Sequence, residues 1–394
     1  MKRKLLLLTL VHPDFLPPVY AIAQVLRDEG YQIHILTFES FVPAELNLGP
    51  DILIETIGKH HEVGTSERIK LRMHFLKRAQ AISYDHIDGI IAFCPFSFNC
   101  AVRIGGNKPV IYHALEISDF VFSDFLRSPL SSFRNFKTFR QVHKADLLAT
   151  PSHQRSAWLA GRCQLEFMPV TVLNTSYLPK EEPERHVEIF NELIPEDMAH
   201  RKVVLYTGAI NSQQCTKELV QAFDMVGDPE SVLVITGMRD TEYCQEVRQV
   251  AERSGSAARI ILFPYVTRQQ MLALQANAAI GVYLTREFDN KIQSKMIAPN
   301  KVGEYLAKGL YLLGIDNQYL KAHEMKGIAS LSRSAEPTDI AAALRNALKS
   351  VSDTDYTLRI KEFVSEYFCM QHQLTPVIDF LKERFSEIQT GGKK

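Results

Sequence analysis

The chain has 394 residues, too many for one ordinary hydrophobic core, and its 46% apolar and 23% charged residues are those of a folded protein of two domains. Lysine plus arginine equal aspartate plus glutamate at 45 each, so a formal net charge of +0 gives no global attraction to nucleic acid, which is not expected as a partner. The six cysteines, Cys94, Cys100, Cys163, Cys215, Cys244 and Cys369, show no C-x2-C spacing; reduced thiols and no metal centre are expected.

The start, Met1-Lys2-Arg3-Lys4-Leu5-Leu6-Leu7-Leu8, imitates a secretion signal, but the apolar run ends at His12-Pro13-Asp14 without a small-residue cleavage site. It reads as a first buried strand from Leu5 to Leu10. No segment offers the roughly 20 apolar residues of a membrane-spanning helix, and a cytoplasmic location is expected. A helix from about Pro18 to Asp28, a stop at Gly30 and a strand from Gln32 to Thr37 set a βαβ rhythm. Strands follow at 89–93, 109–113, 146–150 and 169–173, and such short apolar runs suit parallel strands covered on both faces. The stretch from Phe120 to Arg140 interleaves Phe122, Phe125, Phe133, Phe136 and Phe139 with Arg127, Arg134, Lys137 and Arg140, a mixture able to lie on an anionic membrane surface or to form a packed helix with a basic outer face.

The charged, twice proline-broken segment from Pro179 to His186 marks a domain boundary. The expected organisation is a Rossmann-like domain over 1–178, a linker over 179–200, a second Rossmann-like domain over 201–350, and helices over 351–394 that return to the first domain. In the second domain strands are expected at 203–207, 232–236, 259–263, 280–284 and 310–315, with helices near 216–226, 241–254, 268–276 and 300–308. Ala298-Pro299-Asn300-Lys301-Val302-Gly303-Glu304-Tyr305-Leu306-Ala307-Lys308-Gly309 reads as a helix whose first turn holds an anion, Asn300 capping, Lys301 adding charge and Glu304 lying one turn further on. The order strand, loop, helix makes this a phosphate site.

Val203-Val204-Leu205-Tyr206-Thr207-Gly208, Leu233-Val234-Ile235-Thr236-Gly237, Arg259 to Val266, and Pro299-Asn300-Lys301 with Glu304 resemble, in order and spacing, the nucleotide-sugar half of GT-B glycosyltransferases, especially the retaining family 4. The first half is similar more loosely, in Lys108 to Tyr112 with Glu116, and in Ala145 to Ser152 leading to Asn174. The resemblance implies an α/β fold of two Rossmann-like doubly wound domains facing a cleft. It also implies hexosyl transfer from a UDP- or GDP-linked sugar to a glycan or lipid-linked acceptor, with retained configuration and no catalytic metal or other cofactor. A bacterial role in surface polysaccharide synthesis, with peripheral membrane contact through 120–140, follows by the same analogy.

Position by position, it implies that Glu304 accepts hydrogen bonds from ribose hydroxyls and that Pro299, Asn300 and Lys301 present amides and charge to the diphosphate. Gly208 and Gly237 let the backbone approach the donor, and Tyr265 lines the base. Two departures stand out: Met296 occupies the place of a sugar-contacting Glu, and Ala209 that of a phosphate-binding Arg. The compensating cation is sought among Arg239, Arg286, Lys291, Lys295 and Lys301. In the first domain His12, His113 and Glu116 are the candidate catalytic residues, with His12 or Asp14 placed to orient an acceptor hydroxyl or take its proton. Two other readings stay open: a non-catalytic subunit of the same fold, or a nucleotide-sugar epimerase.

Overall fold

A computed structural model describes residues 2–39, 48–59, 63–84, 86–116, 129–179, 185–286, 296–353 and 355–391, with backbone alone at 129–134 and 388–391. The chain divides into two compact units, one of Met1–Tyr177 with Met296–Ala298 and Met370–Lys394, the other of Leu178–Lys295 with Pro299–Cys369.

The first unit is built on strands β1 (Lys4–Leu8), β2 (Gln32–Thr37), β3 (Ile52–Thr56), β4 (Gly89–Ala92), β5 (Val110–His113), β6 (Leu147–Thr150) and β7 (Val170–Thr171). They form one parallel sheet in the order β3-β2-β1-β4-β5-β6-β7. The leucine run of β1 explains the layering. Leu5 and Leu7 enter one core with Ile33, Ile35, Ile91 and the C-terminal residues Met370, Leu374, Leu381 and Phe385; Leu6 and Leu8 enter the other with Phe38, Phe75, Phe98 and Tyr112. All four leucines are fully buried, each worth roughly 1.5–3 kcal/mol of transfer free energy. The doubly covered strand expected at the N-terminus is therefore an interior strand of this sheet, between β2 and β4.

The second unit holds β8 (Lys202–Tyr206), β9 (Ser231–Thr236), β10 (Ile260–Phe263), β11 (Ile280–Tyr283), β12 (Tyr311–Ile315) and β13 (Ala329–Ser332), a parallel sheet in the order β10-β9-β8-β11-β12-β13. In both units the first strand lies beside a strand reached by a crossover in the opposite direction, β1 beside β4 and β8 beside β11. The carboxyl ends of such neighbouring strands are where open α/β sheets bind ligands.

Two boundaries differ from expectation. The stretch 179–200 contains the helix Arg185–Leu193, which buries His186 and Phe190 and packs on the helix Arg268–Ala276, so it belongs to the second unit rather than to a free linker. Within 351–394 only the helices Met370–Gln373 and Thr375–Gly391 complete the first unit; Tyr356–Glu366 packs on β12 and on the helix Asn300–Ala307. Ile360 and Val364, both buried, set that choice. The sequence pattern also passed over β3, β13 and the helices Thr65–Tyr84 and Gln318–Met325. No helix among the described residues is long and apolar enough to cross a membrane.

His323, at the end of the helix Gln318–Met325, is closed in by Tyr319, Phe363 and Phe368 with ring centroids 5.3, 5.6 and 5.3 Å away, and its Nδ1 is buried without a hydrogen-bond partner. Burial pushes this imidazole down to about 4. Its folded value lies below its unfolded one near 6.5, so its contribution to stability is complete above pH 6.5 and is lost as pH falls through 4. Thermal melts at pH 7.5 and pH 5 are expected to show a smaller acid-induced drop in Tm for His323→Leu than for the wild type.

Candidate functional site

At the carboxyl ends of β8 and β11, two tyrosines, Tyr206 and Tyr305, organise the backbone. Gly281 in β11 has no side chain; a Cβ there would lie 2.4 Å from the ring of Tyr305, which occupies that space against the strand. The Tyr305 hydroxyl then accepts a hydrogen bond from the Thr207 amide (2.9 Å) and shares another with Thr207 Oγ1 (3.0 Å). Tyr206 Oη donates to the Ala209 carbonyl at 2.6 Å. These bonds fix the turn at Gly208, whose φ of +117° suits glycine. Gly237, with φ of +100°, is a packing turn: a Cβ there would strike the Gly208 carbonyl oxygen at 2.2 Å.

The helix Asn300–Ala307 begins beside this turn. Its N-cap is Pro299 rather than Asn300, because Pro299 has the extended φ of −75° and ψ of 124° of a cap, and Asn300 is the first helical residue. No N-cap side chain takes the amides of the first turn. Lys301 folds back over the aromatic floor, with Nζ 4.3 Å from the Tyr206 ring centroid and 5.9 Å from that of Tyr283. The same amine would lie 3.3 Å from a Cβ on Gly208, so the missing side chain makes room for a cation. Burial pushes the Lys301 ammonium down to about 7, and the Glu304 charge opposes that shift without cancelling it. Glu304 is only 6% exposed and forms an ion pair with Arg268. Arg268 stands at the first position of its helix because Thr267 caps it in a reciprocal pair with Gln270, at 3.3 and 2.9 Å.

The other expected donor-site residues are placed as follows. Arg239 is exposed after β9, and Tyr265 is 45% exposed in the loop after β10. That loop is tied to the Gly237 turn by bonds from the Gly237 and Met238 amides to the Pro264 and Phe263 carbonyls. Arg286 is paired with Glu218 at 2.6 Å, which neutralises it as a free phosphate cation. Lys291 and Lys295 lie outside the described residues. Met296 and Ala298 offer backbone carbonyls, held by Arg155 Nε at 2.9 Å and Asn174 Nδ2 at 2.8 Å within the first unit. Of the five cations considered, the structure brings Lys301 to the Gly208 turn.

In the first unit His12 is 3% exposed and caps the short turn Pro13–Phe15; its Nδ1 accepts from the Asp14 amide at 3.3 Å and lies 3.2 Å from Asp14 Oδ2. His113 closes β5 and is 2% exposed. It bonds to the Val172 backbone, and its Nε2 is buried without a partner. Burial pushes this imidazole down to about 4, so it is neutral near pH 7 and Nε2 is suited to accepting a hydrogen bond. Glu116 is exposed and shares a shallow pocket with Tyr112, Ala114 and Phe139. Of the aromatic stretch, Phe122, Phe125 and Arg127 lie outside the described residues. Phe136 is exposed, but Phe139 packs edge-on against Trp158 at 6.0 Å and so faces inward.

Arg268, Tyr206 and Tyr305 were not singled out from the sequence. An arginine opening a helix reads as surface, and the tyrosines read as core. The signal that was available is Gly281 inside an apolar strand, which marks the close approach of something large.

No protein-family profile and no curated protein matches the chain. Solved structures do. Sucrose-phosphate synthase from Thermosynechococcus elongatus superposes with a TM-score of 0.67 at 13% identity, covering 98% of this chain and 100% of that one. HepE from Anabaena, solved with UDP and glucose, gives 0.66 at 15% over 96% and 99%. A putative UDP-N-acetylglucosamine 2-epimerase from Listeria monocytogenes gives 0.63 at 12% over 98% of each. The fold of the chain is thus the GT-B fold of two doubly wound Rossmann-like domains.

Replacing Tyr305 by Phe is expected to leave the buried Thr207 amide unpaired and to cost about 1–3 kcal/mol, read as a lower urea midpoint with an unchanged slope.

Proposed function

We propose that the protein is a glycosyltransferase whose second unit binds a nucleoside-diphosphate sugar and whose first unit holds a glycan or lipid-linked acceptor. The observation that carries this reading is the placement of Lys301 and Glu304, one turn apart, at the start of a helix with no capping side chain, beside Gly208. First-turn amides and the Lys301 ammonium suit a diphosphate, and they stabilise it as a leaving group without moving. A buried carboxylate suits the paired hydroxyls of a ribose. The likeness to HepE, solved with UDP and glucose, supports a uridine nucleotide as the first donor to try. Retention, metal independence, a surface-glycan acceptor and work at the inner face of a membrane complete the proposal by resemblance.

In this reading His113 Nε2, neutral and unpartnered, accepts a hydrogen bond from a substrate hydroxyl rather than acting as a general acid. Epimerisation is the second reading, favoured by the equally full likeness to the Listeria protein. Incubation with a panel of nucleotide sugars separates them: transfer or hydrolysis supports the first, inversion at C2 the second, and the absence of any thermal shift a non-catalytic subunit.

Glu304→Ala is expected to weaken nucleotide binding at least tenfold, about 1.4 kcal/mol, in calorimetry; an unchanged Kd would remove Glu304 from the site. Because the Lys301 ammonium is pushed down to about 7, the free site loses its charge as pH rises through that value. A bound diphosphate raises it again, so UDP or GDP binding at pH 8 should take up a proton. Calorimetry in two buffers of different ionisation enthalpy is expected to show that uptake in the wild type and not in Lys301→Met.

A further inference from the structure

The Arg268–Glu304 pair needs an explanation that packing alone does not supply. The two side chains are 8% and 7% exposed, so both charges have been taken out of water. Desolvation of that kind commonly exceeds the attraction it permits, and apolar residues of similar size would hold two helices together as well or better. Arg268 bears a second cost, since it places a positive charge at the first position of a helix, against the dipole. Its partner is the carboxylate assigned to the nucleotide, and Arg268 engages one oxygen of that carboxylate, Oε1.

We propose that Arg268 is a positioning residue for the ribose of the donor. This rests on the donor-site reading above. The guanidinium holds Oε1 and fixes the rotation of the Glu304 carboxylate, so that Oε2 meets the ribose hydroxyls in a set direction. Thr267 and Gln270 lock the first turn that carries Arg268. Arg268 makes the ribose discriminable without touching it. Specificity arises because a nucleotide lacking the hydroxyls leaves a buried, oriented acceptor unpaired.

The test is calorimetry on the full chain with UDP and GDP, and with the 2′,3′-dideoxy form of whichever binds, for the wild type, Arg268→Met and Arg268→Lys. The wild type is expected to bind the ribose form at least tenfold more tightly than the dideoxy form. Arg268→Met should lose at least tenfold on the ribose form and little on the dideoxy form, so that the preference collapses. Arg268→Lys, which keeps charge but not the planar fork, should fall between them and carries the test if Arg268→Met does not fold. Equal losses on both forms would overturn the proposal, as they place Arg268 on phosphate or in the fold alone; so would no loss on either. A wild type that binds neither nucleotide, or binds both sugar forms alike, sinks the donor-site reading itself before any variant is compared.

Discussion

The second unit is organised around charges that have been withdrawn from solvent at one end of its sheet. An ammonium over two tyrosine rings, and a carboxylate gripped by a guanidinium, are costly wherever they lack compensation. Their geometry is tolerated because the surrounding backbone is fixed by bonds that do not depend on them. Tyr305 ties the helix Asn300–Ala307 to the end of β8, and Tyr206 ties the end of β8 to the following turn. With Arg268 and Glu304 paired to each other, the charge that lies beside the Gly208 turn is that of Lys301, present as pH falls below about 7, a sign that matches an anion.

The glycines show how closely the parts approach. Gly208 yields space to an amine, Gly237 to the Gly208 carbonyl, and Gly281 to the Tyr305 ring. Each missing side chain lets one element of the site touch the next. The two units share the order of their first six strands and a switch point, yet differ near it: the second places Lys301 there, whereas the first has two buried imidazoles, His12 after β1, used as a cap, and His113 at the end of β5, with a ring nitrogen lacking a partner.

Much of this was legible in the residues. Helix and strand periods placed β8 to β12 within a residue or two, because each strand is apolar on both faces and each helix has a distinct buried stripe. Lys301 and Glu304 were legible for the opposite reason: two charges one turn apart on an otherwise apolar helix. The helix Thr65–Tyr84 was missed because it buries little beyond Phe75, Ala79 and Ile82, and β13 because Ala329–Ser332 is small and polar. Arg268 was illegible because its partner is distant in sequence and neither residue's local context announces a pair. Asn300 was misjudged as a cap because the proline before it already has the backbone geometry that a cap requires.

The core that Leu5 and Leu7 enter is closed by Met370, Leu374, Leu381 and Phe385, from the opposite end of the chain. During synthesis, therefore, the domain that emerges first is finished last. Its leading strand must wait, one apolar face covered only in part by Val19, Ile22 and Leu26, while the whole of the other domain is translated, and that exposed interval is the window in which a holding chaperone has something to hold.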